Sequence, residues 1–90
     1  MTLSMTELAQ AREVVRRVLE ELQLDAYLYE VEPREGQWEV KVECPTVDGW
    51  GTCRLTADRE YLLRGVEDAV VHEVLIDNWR EALADCRRKG

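Results

Sequence analysis

Apolar residues recur through the first quarter of the chain at alternating three- and four-residue spacing: Leu8, Ala11, Val15, Val18 and Leu22, with Val14 and Leu19 widening the stripe. That period puts them on one face of an α-helix. Arg12, Glu13, Arg16, Arg17, Glu20 and Glu21 take the other positions. The pairs Glu13–Arg17, Arg16–Glu20 and Arg17–Glu21 sit four apart, where opposite charges support a helix. Ser4, followed three residues later by Glu7, is a capping-box pattern that would start it.

The period then changes to two. Gln37-Trp38-Glu39-Val40-Lys41-Val42-Glu43-Cys44 alternates strictly, and residues 26–32 form a matching strand before it. Pro33-Arg34-Glu35-Gly36 reads as a four-residue turn between them. That length sets Val31 opposite Trp38, Tyr29 opposite Val40, Tyr27 opposite Val42 and Glu30 opposite Glu39. Pro45-Thr46-Val47-Asp48-Gly49 breaks the second strand, and a third, about Trp50 to Thr56, returns beside it. Val40 then faces Cys53, Trp38 faces Leu55 and Glu39 faces Arg54. Tyr27, Tyr29, Val31, Trp38, Val40, Val42, Cys53 and Leu55 share one face. Leu28, Glu30, Glu32, Glu39, Lys41, Glu43, Trp50, Thr52 and Arg54 share the other. One apolar and one charged face predict helices on a single side of the sheet.

Asp58 is an N-cap residue for a second helical stretch. Leu62, Leu63, Val66, Ala69, Val70 and Val74 cluster on one side of a helical wheel, and Leu75, Ile76, Trp79, Leu83 and Cys86 on another. A straight helix over 59–87 would run about 43 Å at 1.5 Å per residue, too long for a domain with a radius of gyration of about 12 Å. The pattern therefore predicts a break or bend between Gly65 and Asn78, with Asn78 and Glu81 as a candidate second capping box. Otherwise the end projects and buries Leu75, Ile76, Trp79, Leu83 and Cys86 against a second copy. The fold class expected is α+β: a helix, a three-stranded antiparallel meander and a long broken C-terminal helix, in two layers with helices on one face of the sheet. Residues 1–90 make one α-β-β-β-α domain, with 77–90 as a candidate separate helix or dimerisation segment.

Composition narrows the function. Nineteen acidic residues against twelve basic ones give a net charge of −7, a sign that repels phosphate backbones and anionic membranes. No apolar run approaches the roughly 20 residues that span a bilayer, and residues 1–7 lack a signal peptide's charged and apolar regions. The expected location is cytoplasmic. Cys44, Cys53 and Cys86, an odd number, then read as reduced thiols. No cofactor is expected, and the sequence carries no phosphate-cradling glycine loop and no nucleophile-elbow motif. His72 is the single histidine. With a cysteine it supports one alternative, a small enzyme or a metal protein using Cys44, Cys53 and Cys86, although no paired ligand spacing is present.

Helix, three antiparallel strands, helix is also the element order of the double-stranded RNA-binding domain, which the chain resembles in topology over most of its length. The resemblance implies duplex RNA binding through the helix ends, here Arg12, Arg16, Arg59 and Arg64. That family's G-P-x-H loop falls on Pro33-Arg34-Glu35-Gly36, which has no histidine. Its K-K-x-A-K run falls on Asp58-Arg59-Glu60-Tyr61-Leu62-Leu63-Arg64, which has two acids.

The leading expectation is a small acidic non-catalytic protein-interaction module that binds a basic or apolar protein surface, self-associates as a homodimer, or both. Leu28, Glu30, Glu39, Glu43, Trp50 and Arg54 would meet the partner, because a tryptophan rimmed by acids suits a partner that is apolar at its centre and basic at its edge.

Overall fold

The computed structural model describes residues 5–89; Ser4, and with it the first capping box, lies outside them. The element order is α1 (Met5–Leu22), β1 (Leu28–Arg34), β2 (Gln37–Thr46), β3 (Gly49–Asp58), α2 (Arg59–Arg64) and α3 (Ala69–Ala82). The strands form one antiparallel sheet in the order β1-β2-β3. The expected α+β class and meander are both present.

Burial follows the two periodicities. α1 buries Ala11, Val14, Val15, Val18, Leu19 and Leu22. β2, the central strand, buries Trp38, Val40, Val42 and Cys44 on one side. Tyr27, Tyr29, Val31 and Cys53 pack partly buried around them, and Leu55 is buried from β3. Trp38 reaches furthest: its indole Nε1 donates a hydrogen bond to the Arg59 carbonyl at 3.2 Å, pinning the start of α2 to the sheet.

Both hairpins are tighter than the sequence suggests. Arg34 pairs with Gln37, leaving Glu35 and Gly36 at φ +39° and +81° as a two-residue turn. Two positive φ values match the right-handed twist of a hairpin. At the second turn Thr46 pairs with Gly49, itself at φ +107°. The Thr46 hydroxyl donates to the Gly49 carbonyl at 2.8 Å and accepts from the Asp48 amide at 3.2 Å. Each register is therefore displaced by two residues. Val31 faces Val40, Tyr29 faces Val42, Glu30 faces Lys41, Val40 faces Leu55 and Lys41 faces Arg54. A displacement of two keeps every side chain on its face.

The C-terminal helical stretch breaks at Gly65–Asp68, not at Asn78, which lies inside α3. Asp58 caps α2, its side chain accepting from the Tyr61 amide at 3.0 Å. Asp68 caps α3 and accepts from the Val70 and Val71 amides at 3.0 and 3.3 Å. Gly65 is buried at the corner, where a Cβ would meet the Leu62 carbonyl and a Val14 methyl, each at 3.1 Å. Its smallness lets α1 and the α2–α3 corner close together.

The break also disposes of the second apolar stripe as a docking face. Restarting the helix at Ala69 rotates the wheel. Leu75, Ile76 and Trp79, followed by Leu83 and Cys86, turn into the chain's own core and are buried there. The chain's own core therefore occupies the five residues expected to meet a second copy, and residues 77–82 continue α3 instead of beginning a separate helix. Val70 and Val74, from the first stripe, are exposed instead. Asp68→Ala should lower the unfolding free energy by about 1 kcal/mol, the usual worth of an N-cap, as read by urea titration of far-UV circular dichroism.

Candidate interaction surface

The six residues expected to meet a partner, Leu28, Glu30, Glu39, Glu43, Trp50 and Arg54, all lie on the sheet face that no helix covers. The register divides that face into two ends. Leu28 pairs with Glu43, and Pro45 pairs with Trp50 one row further out. Leu28 is 63% exposed and Trp50 60% exposed, and Val47 in the adjoining turn is almost wholly exposed. This end is apolar. The other end is a charge lattice of Glu30, Glu32, Arg34, Glu39, Lys41 and Arg54.

The lattice corrects the picture of an acidic rim. Glu39 pairs with Arg54 at 3.1 Å and with Arg34 at 3.4 Å. Lys41 lies 3.6 Å from both Glu30 and Glu43, and Arg34 lies 3.6 Å from Glu32. Each acid on this face has a basic neighbour, so the face carries little net field. Exposed pairs of this kind contribute about 0–1 kcal/mol each. Their main effect is to leave Leu28 and Trp50 as the distinctive feature.

Beside the apolar end runs a C-terminal strap. The Arg87 amide donates to the Pro45 carbonyl, the Asp25 amide to the Arg87 carbonyl and the Lys89 amide to the Gln23 carbonyl, each at 2.8 Å, and Arg88 bridges to Leu24. The strap thus fills the place next to β2 that β1 leaves empty beyond Leu28. Arg87, Arg88 and Lys89 are exposed and form no ion pair among the described residues. They lie beyond the end of α3 at Ala82. Cys86 turns into the core.

Cys86 is bonded to Cys44 on the core face of β2, with 5.6 Å between their Cα atoms and 42 residues between them in sequence. This overturns the reading of three reduced thiols; Cys53 alone is free, its Sγ 3.9 Å from the Ala82 carbonyl. The strap's three backbone hydrogen bonds contribute about 1 kcal/mol net each. Fixing a residue's backbone costs about 1–2 kcal/mol. For residues 86–89 the ordering cost, about 4–8 kcal/mol, exceeds the gain of about 3 kcal/mol from the hydrogen bonds, so the covalent bridge decides whether the strap stays down.

The other candidate chemistry is dispersed. His72 Nε2 lies 3.3 Å from Glu21 of α1. Cys53 sits by Ala82, ten residues or about 15 Å further along α3. Cys44 and Cys86 hold each other, and among the described residues no three His, Cys, Asp or Glu side chains are grouped to hold a metal. Of the four arginines the RNA-binding resemblance would use, Arg16 is paired with Glu13 and Glu20, Arg59 with Glu7 at 2.6 Å and Arg64 with Asp68 at 3.5 Å. Arg12 alone has no acidic partner among the described residues.

The resolved pKa shifts have local structural causes. A hydrogen bond from Arg16 holds the Glu13 carboxyl below its ordinary value, and the same contact raises Arg16. Burial, followed by the charge of Glu20, raises Tyr27. A concavity at the α2–α3 corner is lined by Gln10, Glu60, Leu63, Arg64, Val66 and Asp68 among others, and it gathers no shifted group. No helix among the described residues is long and apolar enough to cross a membrane.

The strap and the bridge are invisible to sequence reasoning. The one hint is the run Arg87-Arg88-Lys89 just after a cysteine whose wheel position already groups with apolar residues. No protein-family model matches the chain, and neither a curated protein nor a solved structure matches it.

Proposed function

We propose that this chain is a non-catalytic protein-interaction module of the cytoplasm, which docks a partner on its uncovered sheet face with the Leu28–Trp50 end as anchor. The observation that carries this reading is a tryptophan 60% exposed on a sheet, at the same end as a leucine 63% exposed on the opposite outer strand, on a face whose charges are already paired. Aromatic residues concentrate at the centres of protein interfaces. The ion-pair lattice supplies a polar rim with little net charge, so the partner's centre is apolar and its edge need not be basic. Self-association through α3 is not part of the reading, since that stripe is internal.

The test uses a photo-crosslinking residue at Thr52, on the open face, and separately at Asp77, on the outside of α3. The Thr52 probe should give a discrete adduct with another protein in cells, and Trp50→Ala should abolish it. Trp50→Ala should leave stability within about 0.5 kcal/mol, as for exposed positions generally. Equal crosslinking from both positions, or an adduct indifferent to Trp50, would refute the docking face. An adduct only with a second copy would recast the module as a dimer through its sheet.

A further inference from the structure

We infer that the Cys44–Cys86 bridge is a reducible clasp, opened by a thiol reductant to release the strap of residues 86–89 from the edge of β2 while the rest of the fold stays closed. The inference does not depend on what docks on the sheet.

Three observations support it. First, the strap has little of its own to hold it. Its side chains beyond Cys86 are exposed, and its contacts are the backbone hydrogen bonds to Pro45, Asp25 and Gln23. Second, the body is anchored independently. α3 is seated by Val71, Leu75, Ile76, Trp79 and Leu83, all before Cys86 in sequence. Losing the bond therefore frees the residues after Leu83 and leaves the helix in place. Third, attack has a direction. Cys44 is fully buried and Cys86 is 4% exposed at the start of a strap that can fray. Arg87, Arg88 and Lys89 flank it and favour the approach of an anionic thiolate. Disulfides in cytosolic proteins are usually transient, so the proposed location and the observed bond agree if the bond cycles.

The chemistry balances with two reductant thiols, supplied by two glutathione molecules or by one dithiol. The first thiolate attacks Cys86 Sγ, and the Cys44–Cys86 bond breaks as Cys44 leaves as a thiolate. The second thiolate then attacks the reductant sulfur of the mixed disulfide and releases the Cys86 thiolate. Two electrons pass to the cysteine pair, each cysteine thiolate takes a proton, and the two reductant thiols depart joined as one disulfide. The released strap uncovers the Pro45 carbonyl and the backbone of Gln23 and Asp25, beside Leu28 and Trp50. Redox state would thereby change the shape of the apolar end of the sheet.

The experiment equilibrates the full chain in glutathione buffers of increasing reduction, with dithiothreitol as the end point. Alkylation with N-ethylmaleimide after quenching under denaturing conditions counts free thiols by mass, and hydrogen exchange is followed by amide. The label count should rise from one to three in a single step within the glutathione series. At that step the Arg87, Lys89 and Asp25 amides should exchange at least tenfold faster and lose most of their protection, while Val40, Val42 and the α1 core remain protected against exchange far more strongly than the strap. Cys86→Ser should reproduce the released state without reductant, and Cys53→Ser should leave the step in place. A bridge that survives reduced glutathione and opens only in dithiothreitol would overturn the inference in favour of a structural staple. So would protection lost across the whole chain at once, or a strap that stays protected with three free thiols.

Discussion

Replacing Trp38 with alanine should lower the unfolding free energy by about 3–5 kcal/mol, the range for truncating a buried aromatic residue. The side chain is fully buried on the central strand, and its indole N–H is bonded to the Arg59 carbonyl. Truncation leaves a cavity between the sheet and the helices and strips the donor from a partly buried carbonyl. Trp38→Phe separates the two effects. It retains much of the apolar area but leaves the carbonyl unpartnered, at a cost of about 1–3 kcal/mol. A small domain holds only about 5–15 kcal/mol in total, so Trp38→Ala is close to the limit of folding at all. Urea titration by circular dichroism measures both variants. Trp50→Ala is the internal control, since it removes the same side chain from the other face. If Trp38→Ala costs no more than Trp50→Ala, the assignment of sheet faces is wrong.

That assignment is legible in the sequence for a simple reason. Side chains on a strand repeat every two residues, so Trp38, Val40 and Val42 reveal their face without any knowledge of pairing. The same regularity hides the register. A four-residue loop at Pro33–Gly36 and the observed two-residue turn at Glu35-Gly36 differ by an even displacement, which moves no side chain through the sheet. It does change partners. The longer loop would set Glu30 opposite Glu39, whereas Glu30 is opposite Lys41. The supposed acidic rim is consequently a neutral lattice, and the charge of the candidate surface cannot be read without the turn type. The C-terminal stretch misleads differently. Its two apolar stripes look like two destinations because the wheel assumes a continuous helix. Asp68 lies four residues before His72, the spacing of neighbours on one helix face, yet its side chain caps the Val70 and Val71 amides. Once the helix restarts there, Leu62 and Trp79 reach one core. The strap leaves little trace because it is held by main-chain bonds and a pair of cysteines 42 residues apart, and a hydrophobic pattern shows neither the bonds nor the pairing.

Breaking the Cys44–Cys86 bridge should lower global stability by about 4 kcal/mol for a closed loop of this length in the chain-entropy treatment, and by about 2–4 kcal/mol on typical experience. The effect falls mainly on the unfolded chain. With the bridge, the unfolded chain is a ring joining β2 to the end of α3; without it, the same residues explore far more conformations. The folded core of α1, the sheet and α3 loses little contact. Stability and local order should accordingly separate. Urea titration of Cys44→Ala/Cys86→Ala should show a large drop in unfolding free energy and a steeper dependence on urea, since the open unfolded chain exposes more surface. In the absence of denaturant, near-ultraviolet circular dichroism from the buried Trp38 and Trp79 should match the bridged protein. A double variant with the stability of the bridged chain would mean that residues 45–85 are already constrained when unfolded. A variant that has lost its near-ultraviolet signal in water would mean that the bridge holds the core itself, and that α3 depends on the clasp it was argued to outlast.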